Sequence, residues 1–168
     1  AHREALERRL TLLGDSDLHG PSPNATRTFD NHRTLTLVFA RERTLAGLRE
    51  ALDAGRTAVW YANQLIGRSE QLAPLYEACV RIGRVHHHAK DAAWVHIANA
   101  SELKLELKRD GVAGPERITI EPRSTTLVRF PAAAIEMKEG LPYRAVNCVV
   151  APGESLPVRL RIEAPESR

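Results

Sequence analysis

At 168 residues and 43% hydrophobic content, the chain has apolar material for one ordinary domain or two small ones, which excludes a disordered polymer. Lys+Arg 24 against Asp+Glu 21 leaves a net charge of only +3, divided evenly along the chain, and three Phe, three Tyr and two Trp lie scattered. Nucleic-acid binding needs clustered cations with aromatic platforms or a reading helix, so it is not expected. No run of about 20 apolar residues suits a transmembrane helix, and the first residues lack the basic-then-apolar order of a signal peptide. The localisation stays unknown on this reading: a soluble protein, cytoplasmic or extracytoplasmic depending on any residues upstream. Cys79 and Cys148 fit neither a CxxC metal site nor a disulfide framework and read as small buried hydrophobes.

In chain order, residues 2–10 place Leu6 and Leu10 four apart among charges, the pattern of an amphipathic helix tail. Leu12 and Leu13 then read as a short buried strand, and Gly14 allows a close backbone approach. Asp17 and His19 follow, two residues apart, so that in extended backbone both side chains point to one side. A carboxylate and an imidazole so placed suit zinc, manganese or iron. The competing reading is a polar turn in which Asp15 or Asp17 caps backbone amides and His19 is merely exposed.

Residues 21–31 form a Pro/Asn-rich loop expected to overhang those side chains. His32 and Arg33 close it, Arg33 being a candidate to meet a phosphate oxygen through a charge-assisted bond or else a solvated strand-edge residue. A strand is expected over 33–39. The following helix, over 45–54, has Thr44 as its cap, Leu45, Leu48 and Leu52 as its buried stripe and Gly55 as its left-handed stop. Residues 58–61 read as a strand and 63–67 as the turn out of it. A helix from Ser69 carries Leu72, Leu75, Tyr76, Cys79 and Ile82 to a stop at Gly83, with Pro74 shifting its regular start toward Ala73.

Beyond Gly83 the apolar period changes from helical to alternating. Strands are expected around Val95–Ile97, Leu103–Leu107, Ile118–Ile120, Leu127–Phe130, Arg144–Val150 and Val158–Ile162, punctuated by prolines, which indicates two sheets packed face to face. The expected division is therefore 1–84 and 85–168. Nothing in the second half reads as catalytic. His86-His87-His88 is a literal His-x-His and binds nickel or zinc adventitiously like any His tract, while His2 and His96 read as structural or exposed.

Gly14-Asp-Ser-Asp-Leu-His-Gly-Pro21, His32-Arg-Thr-Leu-Thr-Leu-Val-Phe39 and Leu48-Arg-Glu-Ala-Leu-Asp-Ala-Gly-Arg-Thr57, in this order, resemble the end of a PHP (polymerase and histidinol phosphatase) phosphoesterase domain. The likeness is greatest to PHP-type phosphodiesterases carrying a β-rich domain at the carboxyl end. It is good over residues 1 to about 83 and loose beyond. It implies an α+β chain, the tail of a distorted (β/α)7 PHP barrel followed by an all-β sandwich. Asp17 and His19 match the Asp-x-His metal ligands that end the last barrel strand, and Arg33 with His32 the basic pair expected to meet substrate.

The resemblance further implies two or three divalent metal ions in the intact enzyme and a phosphate ester substrate attacked by metal-bound hydroxide. The family's other ligands lie upstream, and only ten residues precede the strand expected from Thr11, so the upstream part of the barrel is an expected partner. The 168 residues alone, with two ligands and no catalytic residue of their own assigned, are expected to hydrolyse little or nothing. His86-His88, at the domain boundary and followed by a β domain, does not match the family's first metal motif. The alternative reading is a non-catalytic β-sandwich module for binding or homo-oligomerisation.

Overall fold

The computed structural model describes residues 2–17, 19–20, 32–135, 137 and 139–162, excepting the side chains of His87 and His88. The chain is mostly β-sheet with few helices and divides into two compact units. The first is Ala1–Pro74 with Asn147–Ser155; the second is Leu75–Val146 with Leu156–Arg168.

In the first unit, α1 (His2–Glu7) ends where Arg9 adopts φ +54° and Leu10 N donates to Ala5 O at 2.8 Å. Ala5 is the buried residue of α1, and Leu10 turns out to solvent instead of continuing an apolar stripe. Residues 10–17 form no strand, contrary to the expectation for Leu12-Leu13, and Leu13 is exposed. Side chains rather than a backbone ladder hold this segment. Thr57 Oγ1 donates to Leu12 O (2.7 Å), Thr36 Oγ1 to Gly14 O (3.0 Å), Gly14 N to Thr36 Oγ1 (2.9 Å), and Thr11 Oγ1 to Leu52 O (2.8 Å). Three of these four threonine contacts satisfy backbone groups of Leu12 and Gly14, so the two leucines have no ladder to set their facing. Gly14 does approach closely: a Cβ there would lie 2.4 Å from Val59 Cγ1 and 2.8 Å from Thr34 Cγ2.

β1 (Leu35–Val38) pairs antiparallel with β2 (Thr57–Tyr61), which turns through Ala62 and Asn63 into β3 (Gln64–Gly67). Residues expected as a turn out of β2 thus include a third strand. Ala62, at φ +46°, makes the reversal, and a backbone that L side chains rarely adopt at Ala left no glycine for the sequence to signal. α2 (Leu45–Asp53) is capped as expected, with Thr44 Oγ1 accepting from Gly47 N at 3.0 Å and Gly55 at φ +66°. Its buried residue is Ala51, whereas Leu45 (87% exposed) and Leu48 (40%) face outward. The expected leucine stripe is therefore corrected: a small residue brings α2 onto its neighbours, and the leucines lie on a face the unit does not cover. Arg68 ties this unit together, its guanidinium donating to the carbonyls of Leu10, Gly55 and Ala5.

α3 (Ser69–Cys79) runs through Pro74 and passes directly into β4 (Val80–His88), so Ile82 and Gly83 are strand rather than helix end. Lacking an N–H, Pro74 leaves one helical bond unmade, and the two units divide just after it.

The second unit contains two sheets. β4, β5 (Ala92–Asn99) and β8 (Ser124–Pro131) form one antiparallel sheet with β5 at its centre. β6 (Leu105–Arg109) pairs antiparallel with β7 (Arg117–Ile120) and with β9 (Leu141–Ala151), and β9 also pairs β10 (Glu154–Leu160); α4 (Ala132–Ile135) is a single turn after β8. Alternate residues are buried on both sheets: Val95, Ile97, Val128 and Phe130 on the first, Leu105, Leu107, Ile118, Ile120, Tyr143, Val158 and Leu160 on the second. Two sheets each apolar on one face is the arrangement of a β-sandwich. All six strands expected from alternation are present, and β4 is the one the sequence hid.

Candidate metal centre

The segment 12–14 runs antiparallel to β1 and alongside β2, because Leu12 meets Thr57 and Gly14 meets Thr36, Thr34 and Val59. Gly14, three residues before Asp17, thus lies beside Thr34, the residue after Arg33.

Asp17 and His19 are brought together directly, His19 Nε2 lying 3.1 Å from Asp17 Oδ1 with both side chains largely exposed (92% and 86%). The backbone at Asp17 is not extended as expected, since Asp17 stands at φ +46°. Aspartate is among the few residues that tolerate this left-handed region. Next to it Asp15 Oδ1 accepts from Ser16 N (2.6 Å), so Asp15 takes the amide-capping part and Asp17 keeps its carboxylate for His19. The carboxylate and imidazole face each other and solvent, a donor set that fits a divalent ion able to exchange their mutual contact for two metal bonds. Among the described residues no three His, Cys, Asp or Glu side chains gather as a metal-holding group, so the pair stands alone as donors here.

His32 is held more tightly than its position at a loop end suggested. Nδ1 lies 2.6 Å from Arg33 O, Nε2 lies 3.1 Å from Ala62 O, and the ring packs against Trp60 at 4.3 Å between centroids, tilted by 58°. Whichever tautomer is present, one ring N–H donates to a backbone carbonyl. The ring thus fixes the backbone of Arg33 against the β2–β3 turn, while the Arg33 side chain is exposed. The loop 21–31, expected to overhang the pair, lies outside the described residues. Asn63 anchors the same turn, its carbonyl accepting from Asn147 Nδ2 at 2.9 Å, and Gln64 is exposed.

Two comparisons bear on this arrangement. Residues 80–161 match the model of a family, DUF5001, described as an Ig-like domain. The chain is also similar to a solved two-domain protein containing a predicted PHP-like metal-dependent phosphoesterase, from Bacteroides vulgatus ATCC 8482. The identity is 34%, the TM-score 0.79, and the similarity covers 95% of this chain and 48% of that one. The chain thus spans about half the length of that relative. No curated protein matches.

The first comparison falls on strands β4 to β10 and agrees with the two-sheet reading of the second unit. The second reaches almost the whole chain, so the first unit too has a counterpart within that two-domain protein. No helix among the described residues is long and apolar enough to cross a membrane. Sequence reading missed the locking role of His32, although a His directly before the strand, with Trp60 on the strand next to it, was a legible signal for a ring contact.

Proposed function

We propose that the first unit is the closing part of a PHP-like barrel and that Asp17 and His19 are two of the ligands of its metal centre. The whole protein would be a metal-dependent phosphoesterase carrying a β-sandwich. The observation that carries this reading is the exposed Asp17–His19 contact in a chain similar over 95% of its length to a protein containing a predicted PHP-like phosphoesterase. Zinc, manganese or iron, two or three ions in the complete site, would supply a hydroxide at neutral pH and neutralise charge on the phosphoryl group.

This chain's own residues have narrower tasks. Asp17 and His19 hold metal, each giving up the other as its partner. Arg33 faces a phosphate oxygen with its guanidinium, and His32 keeps the Arg33 backbone in place through the 2.6 Å contact. Six of the nine large apolar side chains exposed among the described residues (Leu10, Leu13, Leu35, Leu45, Leu48 and Tyr61) belong to the first unit. Exposed apolar side chains of this kind are places where a further layer would pack, and the occupant proposed for them is the preceding β/α units of the same barrel.

Metal content and hydrolysis test the reading in the intact protein. Wild type is expected to retain divalent metal at stoichiometric level and to cleave bis(p-nitrophenyl) phosphate. Asp17→Ala is expected to lose metal and lower turnover by about 100-fold or more, as ligand-shell changes do. The 168 residues alone are expected to bind metal weakly and hydrolyse little, since two side chains do not assemble a hydroxide-generating cluster. A metal-free intact protein, or turnover indifferent to Asp17→Ala, would favour a second reading motivated by the Ig-like match over 80–161: a non-catalytic binding or oligomerisation module.

A further inference from the structure

We propose that His86 and His96 form a two-imidazole site for a divalent transition-metal ion on the exposed side of the β4–β5 pair. The proposal rests on the second unit alone and does not depend on the phosphoesterase reading.

The register of the two strands makes the case. Ile82 pairs with Ile97, Val85 with Val95 and His87 with Trp94, so β4 takes an extra residue twice within this stretch. An unbroken ladder from Ile82–Ile97 would place His86 opposite Ala93, three residues away from His96 along β5. The first shift, between Ile82 and Val85, instead moves His86 back toward Val95 and Trp94, and within the second, between Val85 and His87, its ring meets that of His96 at 4.8 Å between centroids and 36° between planes. Bulges commonly re-aim a side chain in this way. The position that would otherwise cover His96 is Gly83, whose missing Cβ would stand 3.4 Å from His96 Cβ and 3.3 Å from His96 O. Glycine there leaves the space above His96 for the second ring.

The separation fits a shared ion. A metal at the usual Zn–N distance lies about 3.2 Å from the centroid of its imidazole, so two ligands at about 90–110° have centroids about 4.5–5.2 Å apart. The observed 4.8 Å falls inside that interval. Both residues are exposed, so water can complete the coordination sphere. Borderline-soft ions that take neutral imidazole are the matching class, with copper(II) held more tightly than nickel(II) or zinc.

The test is a zinc titration of the full 168-residue chain by calorimetry, repeated with copper(II). Wild type is expected to show a binding event that His86→Ala and His96→Ala each weaken at least tenfold. Asp17→Ala and the double variant His87→Ala/His88→Ala are expected to leave that event in place. Histidine ring resonances provide a second readout, with zinc shifting those of His86 and His96 together. Affinity unchanged in both single variants, or a binding event abolished by the His87/His88 double variant alone, would overturn the proposal.

Discussion

Replacing Asn99 by alanine is expected to destabilise the chain by about 3–4 kcal/mol and lower its melting temperature by roughly 10 °C. Asn99 ends β5 with only 2% of its surface exposed, and its amide is fully used. Nδ2 donates to Leu103 O (2.7 Å) and Glu121 O (3.1 Å) and approaches Ile120 O (3.3 Å), while Oδ1 accepts from Ser101 N (2.9 Å) and Ser101 Oγ (2.7 Å). One side chain thereby satisfies the backbone of the 101–103 bend and of the end of β7. Alanine would strand several of these groups away from water at once, each at a cost of about 1–3 kcal/mol less what water recovers. Ser101→Ala keeps the amide and should cost about 1 kcal/mol. Urea unfolding of the three proteins decides the matter, and an Asn99→Ala chain within 1 kcal/mol of wild type would refute the role given to Asn99.

Gly114→Ala is the second large effect, expected at about 3 kcal/mol. Gly114 stands at φ +92°, which costs an L residue about 1–2 kcal/mol, and a Cβ there would lie 2.5 Å from Tyr143 Oη and 3.3 Å from Phe130 Cδ1. Tyr143 is fully buried and donates from its hydroxyl to Pro115 O at 2.8 Å, so the intruding methyl would also break that bond. The hydroxyl offers an independent readout, because burial pushes Tyr143 up to about 12 against a small opposing pull from Arg109. The unfolded phenol loses its proton near pH 10 and the folded one near 12. Stability held by the neutral phenol is therefore fully present below about pH 10 and lost as pH rises toward 12. Wild type should lose about 2 kcal/mol across that window, and Tyr143→Phe should lack this component. Equal alkaline losses in the two proteins would contradict the buried, neutral tyrosine.

The sandwich half was legible because period-two alternation sets both the strands and their buried faces. Val95 and Ile97, Leu105 and Leu107, Ile118 and Ile120 are each read correctly from sequence alone. β4 escaped because its two bulges break the alternation that would have announced it, and because it follows α3 with no intervening turn. The first half was less legible for a different reason. Leucines at 10, 13, 45 and 48 carry patterns of buried residues yet are exposed within this chain, where Ala5 and Ala51 make the close helix contacts instead, so periodicity of large apolar residues misassigns the facing.

At the candidate centre, Asp17 and His19 were singled out by their spacing, but the extended backbone that suggested the pairing is not what brings them together, since Asp17 stands at φ +46°. The placement of residues 12–14 depends on threonine side chains, Thr36 and Thr57, holding them against β1 and β2, and no local pattern announces it. Likewise the closeness of His86 to His96 follows from strand register, which a single sequence does not encode in any local pattern.

Crystals of the intact protein loaded with manganese or zinc, measured at the metal's absorption edge, would locate the ions directly. The proposed reading requires an anomalous peak about 2.0–2.2 Å from both an Asp17 carboxylate oxygen and a His19 ring nitrogen, with their mutual 3.1 Å contact given up. Ions found elsewhere, with Asp17 and His19 still turned only to each other, would contradict it.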